Sequence, residues 1–294
     1  MRYSKTSINS INKKKKYLIF GSTGLLGYTL SIYLSNKTNV DLYGTFRKNK
    51  TQLKNIKYLK VKDLSKKEDI EKIIKKTSPD FLINCLSVED YRKSILFQLI
   101  SLYSLVPKIL CDLSYKYNFK IINISSDIVY GSKSNFLFKE TSKLNLTNNY
   151  SLSKYLGEVY SDNVLNIRTS IFGHSINFKK GILDWFLFQK ECNLYENYFF
   201  SGISTYELSK IIYKITTKNF IPGIYNIGSS KISKYDLLSK VMNIYNHKPK
   251  IYKKKLPKLD FSFTSNKFKR DFNFNIADID KQLLQMSKLK NEFK

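Results

Sequence analysis

From Lys16 onward, short apolar runs alternate with longer amphipathic stretches. Tyr17–Phe20 is four apolar residues closed by Gly21, the pattern of a buried strand. Leu25–Leu34 carries apolar residues at helical spacing, and Val40–Tyr43 reads as a second strand. Ser65–Lys76 sets Ile70, Ile73 and Ile74 on one helical face. Pro79-Asp80 ends that helix before a strand at Phe81–Ile83. A long helix is predicted within Asp90–Tyr117, then a strand at Lys120–Ile124. Strands that alternate with helices of ten or more residues specify an α/β fold with a doubly wound parallel sheet, because parallel neighbours need crossover connections. Beyond about Ser170 the alternation weakens. Helices at Tyr206–Thr216 and Lys234–Tyr245 stay readable, with a strand at Gly223–Ile227 between them.

At 294 residues and 42% apolar composition the chain can bury a large core. Cys85, Cys111 and Cys192 form no CxxC pair, which excludes a disulfide framework or a four-cysteine zinc site and suits a reducing cytoplasm. Two histidines leave no room for a histidine cluster. The net charge of +28 invites a nucleic-acid reading. Only Arg2, Arg47, Arg92, Arg168 and Arg270 supply the forked guanidinium that such surfaces favour. Lys, Asn, Ile, Tyr and Phe are inflated together, and all have AT-rich codons, so the charge reads as composition bias and no nucleic-acid partner is expected. Residues 1–15 are basic and lack an apolar segment, so they are no secretory signal; they match a transit peptide in composition, and a disordered tail is expected. The nearest thing to a membrane span, Ser94–Leu110, is broken by Gln98, serines and Pro107; it reads as a buried helix, and no membrane partner is expected.

Gly21, Gly24 and Gly27 recur at a spacing of three where the first strand meets the first helix. The first permits a tight turn, the second lets a pyrophosphate approach the helix N-terminus, and the third lets helix and strand pack closely. Thr23, Leu25 and Leu26 complete this candidate phosphate loop. At the end of the second strand an acid would bind a ribose 2′-hydroxyl, and an arginine would accept a 2′-phosphate. Asp41 stands too early in that strand and Arg47 follows it, which points to NADPH, with NADH as the alternative. Asp63 and Leu64 are expected to close the third strand, Asp63 reaching the adenine or capping the next helix.

Tyr150 and Lys154 form a YxxxK pair on a predicted helix. Four-residue spacing puts both on one face, where an ammonium favours the phenolate and lowers the tyrosine pKa. Ser126 lies 24 residues earlier, at the carboxyl end of the fifth strand, where open α/β sheets bind ligands.

With these motifs the chain resembles the extended short-chain dehydrogenase/reductase family, and within it the dTDP-4-dehydrorhamnose reductase branch. The resemblance spans roughly Lys16–Tyr245. It includes Pro79-Asp-Phe-Leu-Ile-Asn84-Cys85, Asn166-Ile-Arg168-Thr-Ser170, and Pro222-Gly-Ile-Tyr-Asn-Ile-Gly228 followed by Ser233-Lys-Tyr-Asp. It implies a Rossmann-type NAD(P)-binding domain over residues 16–170. Residues 171–294 would form mostly a smaller substrate lobe, with some segments returning to the sheet. It implies Tyr150 as proton donor, Lys154 as ribose ligand and Ser126 as the group polarising a keto oxygen, with Asn84 and Cys85 on the nicotinamide side. The implied substrate is a 4-keto-6-deoxy nucleotide sugar, in a cytoplasmic enzyme of polysaccharide supply that is expected to form a homodimer. An epimerase and a non-catalytic nucleotide-binding subunit remain alternatives. Two departures stand out. Tyr103 takes the place of a family asparagine 23 residues before the hydroxyl, which removes the usual proton-relay water. Ile128 takes the place of a base needed for dehydration. Cys85 and Cys111 are expected as buried fillers and Trp185 as lobe core, while His174 fits either the cleft or the interior.

Overall fold

Among the described residues, seven parallel strands form the central sheet. The computed structural model describes residues 14–48, 51–88, 90, 92–132, 136–178, 181–255 and 257–293, so nearly all of the predicted basic tail lies outside it. In chain order the first six strands are β1 (Lys15–Phe20), β2 (Val40–Phe46), β3 (Lys57–Lys60), β4 (Phe81–Asn84), β5 (Lys120–Ile124) and β6 (Val164–Arg168). The sheet runs from Gly223–Asn226 through β6, β5, β4, β1 and β2 to β3. Chain direction across the sheet reverses between β1 and β4, which opens a crevice at their carboxyl ends.

Alternation along the strands makes both faces apolar. Tyr17 and Ile19 of β1 join Leu30, Leu34, Ile83, Ile122 and Ile167 on one side. Leu18 and Phe20 join Leu82, Val106, Leu110 and Ile121 on the other. Helix Leu25–Ser35 covers the first face together with Thr205–Thr217; Lys67–Thr77 and Val106–Tyr117 cover the second. The continuous helix Leu96–Tyr117 is long and apolar enough to cross a membrane. Here its Val106, Leu110 and Leu113 are buried against the sheet. It is α-helical over Leu96–Ile100, π-helical over Ser101–Leu105 and α-helical again over Val106–Tyr117.

After β6 the chain builds small sheets. Ser170–Phe172 pairs with Gly202–Ser204, Glu191–Tyr195 with Lys250–Lys254, and Tyr198–Phe200 with both Ile232–Ser233 and Leu259–Asp260. Phe172, Leu183, Phe186, Leu194, Phe200, Leu237, Val241 and Leu283 form a separate apolar cluster beneath them. Thr205–Thr217 and Gly223–Asn226 return to the main sheet.

Three expectations need correction, and one strand was not anticipated. Lys15 is already part of β1, its ammonium donating to the Thr216 carbonyl at 2.7 Å. The third strand stops at Lys60, short of Asp63, because the chain turns at Lys62–Ser65. Trp185 is half-exposed, whereas its neighbour Phe186 is buried, so the lobe core takes the second ring and not the first. Lys250–Lys254 forms a strand that no apolar alternation announced, since four of its five residues are exposed.

Candidate active site

A cleft of about 1170 Å³ runs along the carboxyl ends of the strands. One wall is made of backbone. Gly21 adopts φ +78°, and a Cβ there would lie 3.0 Å from the Cys85 carbonyl oxygen. The Gly21 amide donates to Thr45 Oγ1 at 3.1 Å and Ser22 Oγ donates to the Thr45 carbonyl at 2.9 Å, which ties the loop to β2. At Gly27 a Cβ would sit 2.1 Å from the Gly21 oxygen, so only glycine lets the first helix approach this closely. Gly24 is the N-cap, and no acidic residue occupies the first turn, leaving the positive end of the helix directed at the cleft. Arg47 and Lys48, both exposed, border the same end.

The opposite wall is made of side chains. Ser126 caps the short 3-10 helix Asp127–Tyr130 and its hydroxyl donates to Asp127 Oδ1 at 3.2 Å. Tyr150 and Lys154 lie on one helix, Asn149–Leu156, which opens with a capping box between Asn148 and Ser151. Lys154 is buried, and its ammonium donates to the Ile124 carbonyl at 2.9 Å. Burial lowers its pKa to about 8, opposed by charge interactions with Cys85 and Glu158. Asp127 is buried too, and desolvation raises its carboxyl to about 7 despite hydrogen bonds from Ser126 and Ser170. Lys234, whose ammonium stands 3.5 Å from the Tyr198 ring centre, also faces the cleft; burial lowers its pKa. The arrangement offers hydroxyl donors, a buried ammonium and a protonatable carboxyl around one space.

Behind this wall lies a buried polar scaffold. Arg168 forks onto both oxygens of Glu158, at 2.8 and 2.7 Å, and Ser125 donates to the same carboxylate at 2.6 Å. Facing residues on β4, β5 and β6 form an amide ladder: Asn84 donates to Asn123, and Asn123 to Asn166, each at 2.9 Å.

The RmlD substrate binding domain family matches residues 15–260. The chain belongs to this family. No curated protein matches the sequence. Solved structures share the fold at low identity. A dTDP-4-dehydrorhamnose reductase from Bacillus anthracis, in complex with NADP, superposes with a TM-score of 0.79 at 17% identity, covering 94% of this chain and 99% of that one. A hypothetical dTDP-4-dehydrorhamnose reductase from Sulfolobus tokodaii gives 0.75 at 23%, covering 90% and 98%. The enzyme WbmG from Bordetella bronchiseptica, in complex with NAD and UDP, gives 0.81 at 12%, covering 96% of each chain.

Within this RmlD-family fold, Gly21, Thr23, Gly24, Leu25, Leu26, Arg47, Asp63, Leu64, Cys85, Ser126, Tyr150 and Lys154 all line the one cleft. Gly27 stays behind the loop in its packing role, and Asn84 is turned into the amide ladder and does not line the cleft. Asp63 accepts from the Ser65 amide and hydroxyl at 2.8 and 2.7 Å, which hold its pKa below the usual range. It therefore closes its own turn and does not cap helix Lys67–Thr77, whose N-cap is Lys66. His174 is fully buried between Asp184, at 2.6 Å, and Tyr245, at 3.0 Å, away from the cleft. Cys85 and Cys111 are buried, as expected of apolar fillers. Asp127, Tyr198, Lys234 and Phe261 line the cleft although sequence reasoning gave them no role there. Asp127 could have been found from its place beside Ser126; no local signal distinguishes Phe261.

Proposed function

We propose that the chain is an NADPH-dependent reductase of the 4-keto group of a 4-keto-6-deoxy nucleotide sugar. The observation that carries this reading is the convergence of Ser126, Tyr150 and Lys154 opposite a glycine loop in one cleft. The glycine turn, the uncompensated helix N-terminus and the Arg47–Lys48 edge fit a dinucleotide with a 2′-phosphate. When bound there, NADPH supplies the hydride that C4 receives. Tyr150 delivers the proton to the keto oxygen, and the C4 carbonyl becomes a secondary alcohol. Lys154 favours the tyrosinate that this leaves, and Ser126 donates to the developing alkoxide. Each fixed donor is worth a few kcal/mol to such a charge, on the order of 3. Asp127, beside Ser126, is held largely protonated below about pH 7 and can donate a further hydrogen bond to the sugar. The segments after Ser170 supply the sugar-nucleotide side of the cleft: Tyr198 and Phe200 from strand Tyr198–Phe200, Lys234 from the start of helix Lys234–Tyr245, and Phe261 from just after strand Leu259–Asp260.

The reaction serves deoxyhexose supply for polysaccharide in the cytoplasm. A homodimer accompanies this reading; exposed Leu105, Leu152, Tyr155 and Leu156 give it apolar surface, and sedimentation measures it. Incubation with dTDP-, UDP- and GDP-4-keto sugars tests the activity. Loss of NADPH absorbance with one of them is the expected outcome. Conversion of a sugar without net NADPH consumption would replace the reductase with an epimerase, and nucleotide binding without any turnover would leave a regulatory subunit.

A further inference from the structure

Lys154 is a buried ammonium with three N–H donors, and one of them is directed to the Ile124 carbonyl. A second side of it rests on the face of Tyr103, 4.0 Å from the ring centre. That ring is unusually well fixed. Its hydroxyl accepts from the Val88 amide at 2.9 Å and stands 3.3 Å from Ser87 Oγ, both on the loop after β4. It packs edge-to-face with the Tyr150 ring, centres 5.5 Å apart and planes at 79°. Tyr103 sits in the π-helical turn Ser101–Leu105, whose extra residue per turn displaces it from the helix's ordinary face. The same turn is docked onto the end of helix Asn149–Leu156. Ser104 donates to the Ser153 carbonyl at 2.9 Å, and a Cβ on Gly157 would lie 1.7 Å from the Tyr103 backbone carbonyl oxygen.

We propose that Tyr103 is a positioning residue for Lys154: its ring face, bracketed by the π turn, holds the ammonium in place beside Tyr150. An aromatic face attracts a desolvated cation and leaves a neutral amine unattracted. It therefore does two things in a site where burial opposes the charge: it fixes the amine's direction and it favours the protonated state. Besides Tyr103 itself, the charged and titratable groups facing Lys154 are Cys85 just after β4, Glu158 beyond its own helix, and Tyr150 on that helix. Glu158 acts on Lys154 through its charge while its hydrogen bonds go to Arg168 and Ser125; the Ile124 carbonyl and the Tyr103 face are the groups in direct contact with the ammonium.

The proposal rests on the catalytic reading above only for its consequence; the contact itself is tested without turnover. Competitive acetylation across pH, read by mass spectrometry on the peptide carrying Lys154, reports that amine's titration. Tyr103→Leu should lower its midpoint by about one pH unit, the size of a desolvated cation–π contact. Tyr103→Phe, which keeps the face and loses the tether, should leave the midpoint in place. Phenylalanines carrying one, two and three ring fluorines at position 103 keep the shape and drain the face. They should lower the midpoint stepwise, which serves if Tyr103→Leu fails to fold. The alkaline limb of the kcat profile should move with the midpoint. A midpoint that ignores both leucine and fluorine overturns the proposal. An enzyme inactive on every keto sugar but with the predicted midpoints removes the function and leaves the contact standing.

Discussion

The two walls of the cleft are built on different principles. The wall after β1 depends on what is missing: glycines at 21 and 27, where a Cβ would collide with backbone. The wall after β5 depends on what is present: Ser126, Tyr150 and Lys154, held from behind by Glu158, Arg168 and the asparagine ladder. A backbone cradle is defined locally and tolerates any side chain that points away. A side-chain constellation needs every supporting group, because a buried polar atom that loses its partner keeps its full desolvation cost.

The sharpest contrast is chemical. Tyr150→Phe should reduce turnover by about 10²–10⁴-fold while NADPH affinity, followed by nucleotide fluorescence, stays near wild type. Unchanged turnover would show that the side-chain wall does no chemistry. The next contrast concerns support. Glu158→Ala leaves the fully buried Arg168 without its carboxylate and Ser125 without its acceptor. Stability should fall by about 3–5 kcal/mol in urea unfolding, the range for a broken buried ion pair. A loss below about 1 kcal/mol, the range of exposed pairs, would mean that the scaffold is not what holds this wall.

Arg47 is where the backbone wall uses a side chain. Arg47→Asp should raise KM for NADPH about 10–150-fold and leave that for NADH nearly unchanged, the loss of a charge-assisted contact of about 1.5–3 kcal/mol. A wild-type preference for NADH would reverse that expectation. The last test is one of pH dependence and concerns Asp127. Its folded pKa, raised to about 7 from 3.8, means that the folded chain binds more protons than the unfolded one between those values. Stability from this group is therefore full below about pH 4 and is lost as pH rises through 7. Asp127→Asn should flatten the fall of Tm over that interval and raise Tm at pH 8. A slope identical to wild type would place the titration elsewhere.

The contrast also explains what could be read from sequence. Tyr17–Phe20, the three glycines and Tyr150–Lys154 are local patterns, and local hydrophobic period or spacing fixes their element. The π turn at Ser101–Leu105 depends on a slip of hydrogen bonding that no residue period encodes, so Tyr103 read as the loss of a relay and not as a neighbour of Lys154. Asn84 was expected in the cleft because the resemblance sets its segment on the nicotinamide side. Strand register turned its amide sideways to Asn123, a partner 39 residues away. Strand Lys250–Lys254 escaped for the opposite reason: its lysines protect a sheet edge and carry no apolar signal.

The order of the central sheet has a consequence for how the chain is made. β6 receives its outer neighbour only from Gly223–Asn226, roughly 60 residues later in synthesis. At about 5–20 residues per second that is a delay of about 3–12 s. During it the nascent sheet ends in an open edge whose Val164, Leu165 and Ile167 are apolar and whose amides have no partner strand. The finished protein conceals all of this. On the ribosome, the window before Asn226 emerges is when the outer edge of β6 stands open to mispairing.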